Sequence, residues 1–179
     1  MNYSISKKIE NLRNNHFSMI IVIMIAFIYS LMVGSGIYGY GLDFTYAYSR
    51  GFDWSAGRAG FFFDYLGFRI ATLTINNFHI GVYSVTFIIS ISTGLLIREH
   101  TRFKKSSSLF LFLFIFIIAI HTWPIVMSVS NAMRQGLAMS FIFLALTFSL
   151  RKNFYWMIFF SLLGILFHKS AIVLLIIIV

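Results

Sequence analysis

The sequence predicts an all-α protein: a polytopic transmembrane helix bundle of about five complete spans and a truncated sixth, with a long external loop that contains an amphipathic helix. Three observations predict it. The chain of 179 residues is 59% hydrophobic and only 11% charged, with a mean hydropathy of +0.87. An ordinary soluble domain carries roughly 25% charged residues, so this chain has too few to cover a globule in water. Its apolar residues gather in runs close to the ~20 residues that a helix needs to cross a bilayer. Its Lys and Arg residues sit in short clusters between those runs.

The same clustering explains the net charge of +9. A nucleic-acid-binding face needs its basic residues on one continuous surface. Short basic clusters between apolar runs act as topology signals instead. The absence of cysteine excludes disulfides and thiolate metal sites.

The first apolar run, Ser18–Ile37, follows Lys7, Lys8 and Arg13, as a signal peptide would. Its length exceeds the apolar core of a signal peptide, so it is read as a retained first span. The loop 38–78 follows. Further spans are expected over His79–Ile97, Ser108–Ser128, Asn131–Leu150 and the short Phe154–Phe167. The run Ala171–Val179 is too short to cross alone, so the expectation is one transmembrane domain over residues 1–179 that is incomplete at its C-terminus. Phe154–Val179 is either one tilted helix or a tight hairpin. Lys at the bilayer midplane costs roughly 2.5–3.5 kcal/mol, which favours the hairpin, with His168 and Lys169 at a surface.

Orientation follows from the cations. Lys7, Lys8, Arg13, Arg98, Arg102, Lys104, Lys105, Arg151 and Lys152 share one side. Arg50, Arg58, Arg69, Arg134 and Lys169 fall on the other, in longer loops. The first side is therefore cytoplasmic, and the N-terminus with it. Trp123 and Trp156 fall near opposite interfaces. Small residues recur every fourth position at Ala26, Ser30 and Gly34, at Ser90 and Gly94, and at Ala132, Gly136 and Ser140. Such stripes let helix backbones approach closely in lipid.

The external face holds the residues that topology does not explain. Asp43, Asp53 and Asp64 all lie in the first external loop, beside Arg50, Arg58 and Arg69. Loops of about 40 residues tend to be functional or to hold structure of their own. Phe61, Phe62, Phe63, Tyr65 and Phe68 suit a helix lying in the headgroup layer. An aromatic, charged wall at the membrane surface suits a sugar or a lipid-linked headgroup; the alternative is a solvated loop whose charges pair with one another.

Arg134 lies about a turn inside the external end of the fourth span. Arg within a span usually faces a partner or a water-filled cavity, and a helix N-terminus also favours anions. Together they make a sound phosphate site, unless the side chain simply snorkels to the headgroups. His121 and His168 fall on the same face. His168 is a general base, a phosphate ligand or a headgroup anchor. His16, His79 and His100 are interfacial or in loops, with no functional role expected. The run Gly34 to Gly39 matches G-x-G-x-x-G, but it follows a membrane helix rather than a strand, so it is a flexible exit from the first span and not a nucleotide site.

Three segments carry a family resemblance. Gly39-Tyr40-Gly41-Leu42-Asp43-Phe44-Thr45-Tyr46 resembles the start of the first external loop of EpsG-like proteins. Arg134-Gln135-Gly136-Leu137-Ala138 opens a helix, and Leu166-Phe167-His168-Lys169-Ser170-Ala171 follows about thirty residues on. That order, an Arg-x-x-x-Ala helix start and then a Phe-His-x-Ser-Ala turn, also resembles the EpsG family. The resemblance covers roughly residues 39–179. Members are longer than this chain, and many carry a Glu late in the first loop, where Asp64 stands here.

The resemblance implies a bacterial cytoplasmic (inner) membrane protein that polymerises lipid-linked oligosaccharide repeats into O-antigen, capsule or exopolysaccharide. Its implied partners are a polyprenyl-diphosphate-linked glycan, the bilayer and other polysaccharide-assembly membrane proteins; no nucleic acid, cofactor or metal is implied. The expected catalytic residues are Asp43, Asp64 and His168. Arg134, Gln135, Lys169, Tyr46 and Arg69 are the expected substrate-binding set. Asp43 would take the acceptor proton and Arg134 would hold the departing diphosphate. A transporter or flippase of lipid-linked glycan is an alternative, but it would want charges at several depths, and here they gather at one end. A membrane acyltransferase with His168 as base is another, and an inactive truncated product a third.

Overall fold

The computed structural model describes residues 2–36, 78–103, 109–122, 125–126, 133–168, 171–173 and 176, and the side chains of 17–36, 82–102, 109–122, 125–126, 135–168, 171–173 and 176. Among the described residues all regular structure is helical, with five bounded helices: α1 Asn2–Gly34, α2 Phe78–Phe103, α3 Leu109–Ile120, α4 Met133–Leu150 and α5 Phe154–Phe167; residues 125–126, 171–173 and 176 are helical as well. Two of these, over Phe17–Gly34 and Val82–Arg102, have the length and composition to cross a membrane. The other three are shorter apolar helices.

The helices form where the apolar runs lie, with different ends. α1 begins at Asn2 and continues through the polar, basic N-terminal segment, so its 33 residues reach about 50 Å at 1.5 Å per residue. α2 runs past Ile97 and through Arg98 to Phe103. α3 stops at Ile120, short of the expected Ser128. Pro124 explains this difference: it has no N–H to donate and bars the helical conformation from the residue before it. The helix therefore closes early. The His121 and Thr122 N–H groups turn back to the carbonyls of Ile118 and Ala119 at 3.1 Å each.

The register of the packing fixes the topology. Gly34 at the end of α1 abuts the Tyr83 ring near the start of α2, while Val22 lies against Gly94 further along α2. These two helices are therefore antiparallel. Phe116 of α3 meets the same Gly94, and Tyr29 of α1 donates its hydroxyl to the Ile120 carbonyl at 2.7 Å. α4 and α5 form an antiparallel hairpin, with Phe148 stacked on Trp156 and Phe160, and Gly164 against Ala138 and Ile142. Arg151, just after α4, reaches Glu99 on α2. All five helices thus alternate between two ends of one bundle.

α2 is the central element, packed on α1, α3 and α4. The core gathers Val22, Tyr29, Val85, Ile89, Phe116, Ile120, Ile142 and Phe167 with their neighbours. Buried Thr86, Thr93, Ser140 and Thr147 satisfy their hydroxyls on the carbonyl four residues earlier, which lets polar groups sit inside an apolar bundle. The outward faces of α1, α3 and α5 are lined by exposed Met24, Phe27, Phe110, Phe114, Phe159 and Leu162. So much contiguous apolar surface is not stable in water. It is the surface of a helical membrane protein.

Candidate functional site at the bundle end

One end of the bundle collects the C-terminal ends of α1, α3 and α5 and the N-terminal ends of α2 and α4. α1 leaves the bundle through Ser35, whose N–H reaches the Leu31 carbonyl, and Gly36, whose φ of 82° is open to glycine at little cost. The flexible exit expected at the Gly34 run therefore divides into two jobs: Gly36 turns the chain and Gly34 lets Tyr83 pack. Beside it, His121 sits edge-on to Tyr29, 4.9 Å between ring centroids, with Nδ1 2.8 Å from the Ile117 carbonyl.

His168 caps α5. Its backbone is extended (φ −162°, ψ 131°), so Phe154–Val179 is not one continuous helix. Its N–H donates to the Gly164 carbonyl at 3.2 Å, and its own carbonyl accepts from the Ala171 N–H at 3.0 Å. The flanking residues pin this turn. Phe167 is buried against Phe141, 4.9 Å between ring centroids, and Ala171 is fully buried. His168, between two anchors, is half-buried.

The α4–α5 register then brings His168 level with the start of α4. Gly164 lies opposite Ala138; one turn further along α5 and one turn back along α4 are His168 and Arg134. Arg134 is the second residue of α4, and its side chain lies outside the described residues. Gln135 is exposed, while Gly136, Leu137 and Ala138 are buried. Asp43, Tyr46, Asp64, Arg69 and Lys169 lie outside the described residues, as do the amphipathic helix expected around Phe61–Phe63 and Trp123. Among the described residues no group of three or more His, Asp or Glu is placed to hold a metal ion.

Two polar contacts were not foreseen from the sequence. Tyr29 braces α1 to the end of α3, directly beneath His121. A Tyr within an apolar run was the available signal, because a buried phenol seeks a partner. At the other end of the bundle, Glu99 is buried and accepts from Arg151 Nη2 at 2.6 Å. The sequence separates these residues widely and marks both only as members of basic clusters.

The EpsG family model matches residues 15–179 of the chain. No curated protein and no solved structure matches it.

Proposed function

The chain belongs to the EpsG family, and from that premise we propose that it polymerises lipid-linked oligosaccharide repeats in surface-polysaccharide synthesis, transferring glycan from a polyprenyl diphosphate at the external face of the bacterial cytoplasmic membrane. In this reading the bundle has about five complete spans and a truncated sixth, with a cytoplasmic N-terminus. The observation that supports it is the level shared by His168 and the start of α4, at the bundle end opposite the Glu99–Arg151 pair.

The reaction joins two lipid-linked chains. A hydroxyl oxygen of the acceptor repeat bonds to the anomeric carbon of the donor sugar. The bond from that carbon to the diphosphate oxygen breaks, and its electron pair leaves with the diphosphate. Arg134, at a helix N-terminus, stabilises that departing charge, with His168 or Lys169 assisting. Gln135 is exposed at the same helix start and donates to the sugar or the diphosphate. Asp43 takes the acceptor proton, for which a carboxylate must come within about 3 Å of the hydroxyl. Asp64 is the second candidate for that role, and Tyr46 and Arg69 are the further substrate-binding candidates.

The test replaces Arg134 by Ala, and separately Asp43 by Asn, in the strain that makes the protein. The surface glycan is then separated by length on a gel. Loss of long chains with accumulation of single repeats, at normal protein level, is the expected outcome. Persistence of long chains would remove these residues from the site. Single repeats that stay unflipped, or long chains lacking an acyl group, would point to transport or acyl transfer instead.

A further inference from the structure

The other end of the bundle carries a charge arrangement that its internal contacts do not complete. Glu99, near the end of α2, is buried and among the described residues takes one guanidinium contact, Arg151 Nη2 at 2.6 Å. Its chain neighbour Arg98 is turned inward. Among the described residues Arg98 Nε is buried with no hydrogen-bond partner, and Glu99, Arg151 and Arg102 all act on its charge. Arg102 follows one helical turn later and is exposed. One carboxylate thus stands among three guanidiniums.

A buried N–H donor without an acceptor is costly, and like charges crowded together add to that cost. An anion with several acceptor oxygens, held by the parts of these guanidiniums that reach the surface, relieves the crowding and orders the cluster around Arg98. Phosphate matches the forked donors of arginine and offers oxygens to more than one guanidinium at once.

The neighbouring aromatics say where that phosphate comes from. Arg151 stands over the Phe148 ring at 5.6 Å, and Phe148 stacks on Trp156, which is exposed next to the still more exposed Tyr155. Exposed Trp and Tyr at a helix end mark the headgroup layer of a bilayer. The exposed Ile158, Phe159 and Leu162 continue along α5 as the wall that acyl chains touch. The guanidiniums therefore lie at the depth of lipid phosphates.

We propose that Arg98, Arg102 and Arg151 bind the phosphate of an anionic phospholipid headgroup at the end of α2. Basic clusters between membrane helices have the chemistry for this. The site is separate from the polymerase reading and does not depend on it, because it lies at the opposite end of the bundle.

The experiment uses the whole purified chain in a neutral detergent. Its thermal unfolding midpoint is measured against added phosphatidylglycerol, phosphatidylcholine or inorganic phosphate at equal phosphate concentration. The expected result is a rise of several degrees with phosphatidylglycerol alone, with half-saturation shifted at least tenfold by Arg98→Gln. Arg102→Gln, at an exposed position, keeps the test available should the Arg98 variant fail to fold, and is expected to shift half-saturation severalfold. Equal shifts from both lipids, an equal shift from inorganic phosphate, or half-saturation unmoved in the variants that fold would each overturn the proposal.

Discussion

Lys152 holds the one left-handed non-glycine backbone among the described residues, with φ 57°. It closes α4 in a paired cap: the Lys152 N–H reaches the Ser149 carbonyl at 2.8 Å and the Asn153 N–H reaches Phe148 at 2.9 Å. Asn153 then opens α5, its side chain accepting from the Trp156 N–H at 3.5 Å and its carbonyl from Met157. One tight turn therefore ends one helix and starts the next. The left-handed conformation costs an ordinary residue roughly 1–2 kcal/mol. Glycine avoids that cost but loses about 0.5–1 kcal/mol in the unfolded chain. Lys152→Gly is thus expected to stabilise the hairpin by about 0.5–1 kcal/mol. A thermal unfolding midpoint in detergent checks it; a midpoint below that of the parent protein would contradict the account. At this scale the sequence was informative about type and not about pairing. Arg151, Lys152 and Glu99 were readable as charges at a membrane edge. That Glu99 would be buried on Arg151 depends on how α2 and α4 cross, which no local pattern encodes.

At the scale of helices, the every-fourth small residues carry the packing. Ala26, Ser30, Ser90 and Ser140 are buried, and a Cβ at Gly94 would lie 2.7 Å from Val22 Cγ1 and 3.1 Å from the Phe116 ring. Gly94 is the point where α1, α2 and α3 meet. Gly94→Leu is expected to destabilise the bundle by about 1–3 kcal/mol through overpacking. Ser84→Leu, on the exposed face of the same helix, is expected to leave stability unchanged. Unfolding midpoints of the two variants decide the matter, and equal values would deny the close approach. The stripes were legible because lipid-embedded helices need small residues wherever backbones touch. Gly164, which seats α5 on Ala138 and Ile142, belongs to no such repeat and was missed. The end of α3 was misplaced for a different reason. The apolar run continues to Ser128, so hydropathy alone favoured a longer span, whereas Pro124 decides the backbone.

For the whole molecule, the alternation of helix ends is the property from which sidedness and site both follow. The basic residues Arg98, Arg102, Arg151 and Lys152 share one end with Glu99, and Ser35, His121, Gln135 and His168 share the other. The grouping was legible in the sequence because Lys and Arg cluster on alternate connections between the apolar runs. It did not foretell the level of His168 against the start of α4, which arises from the register of Gly164 on Ala138. The division makes a sharp test of orientation, since the chain has no cysteine of its own. Single variants Ser35→Cys and Thr122→Cys sit at exposed positions of one end, and Arg102→Cys and Lys152→Cys at exposed positions of the other. In intact cells stripped of any outer barrier, a membrane-impermeant maleimide is expected to label the first two at least tenfold faster than the second pair. Disrupting the membrane should equalise all four. Labelling of Lys152→Cys from outside would invert the bundle and put the Arg134–His168 end in the cytoplasm, where an externally acting polymerase has no use for it. Labelling of one member of each pair would break the alternation itself and leave the two ends without a common side.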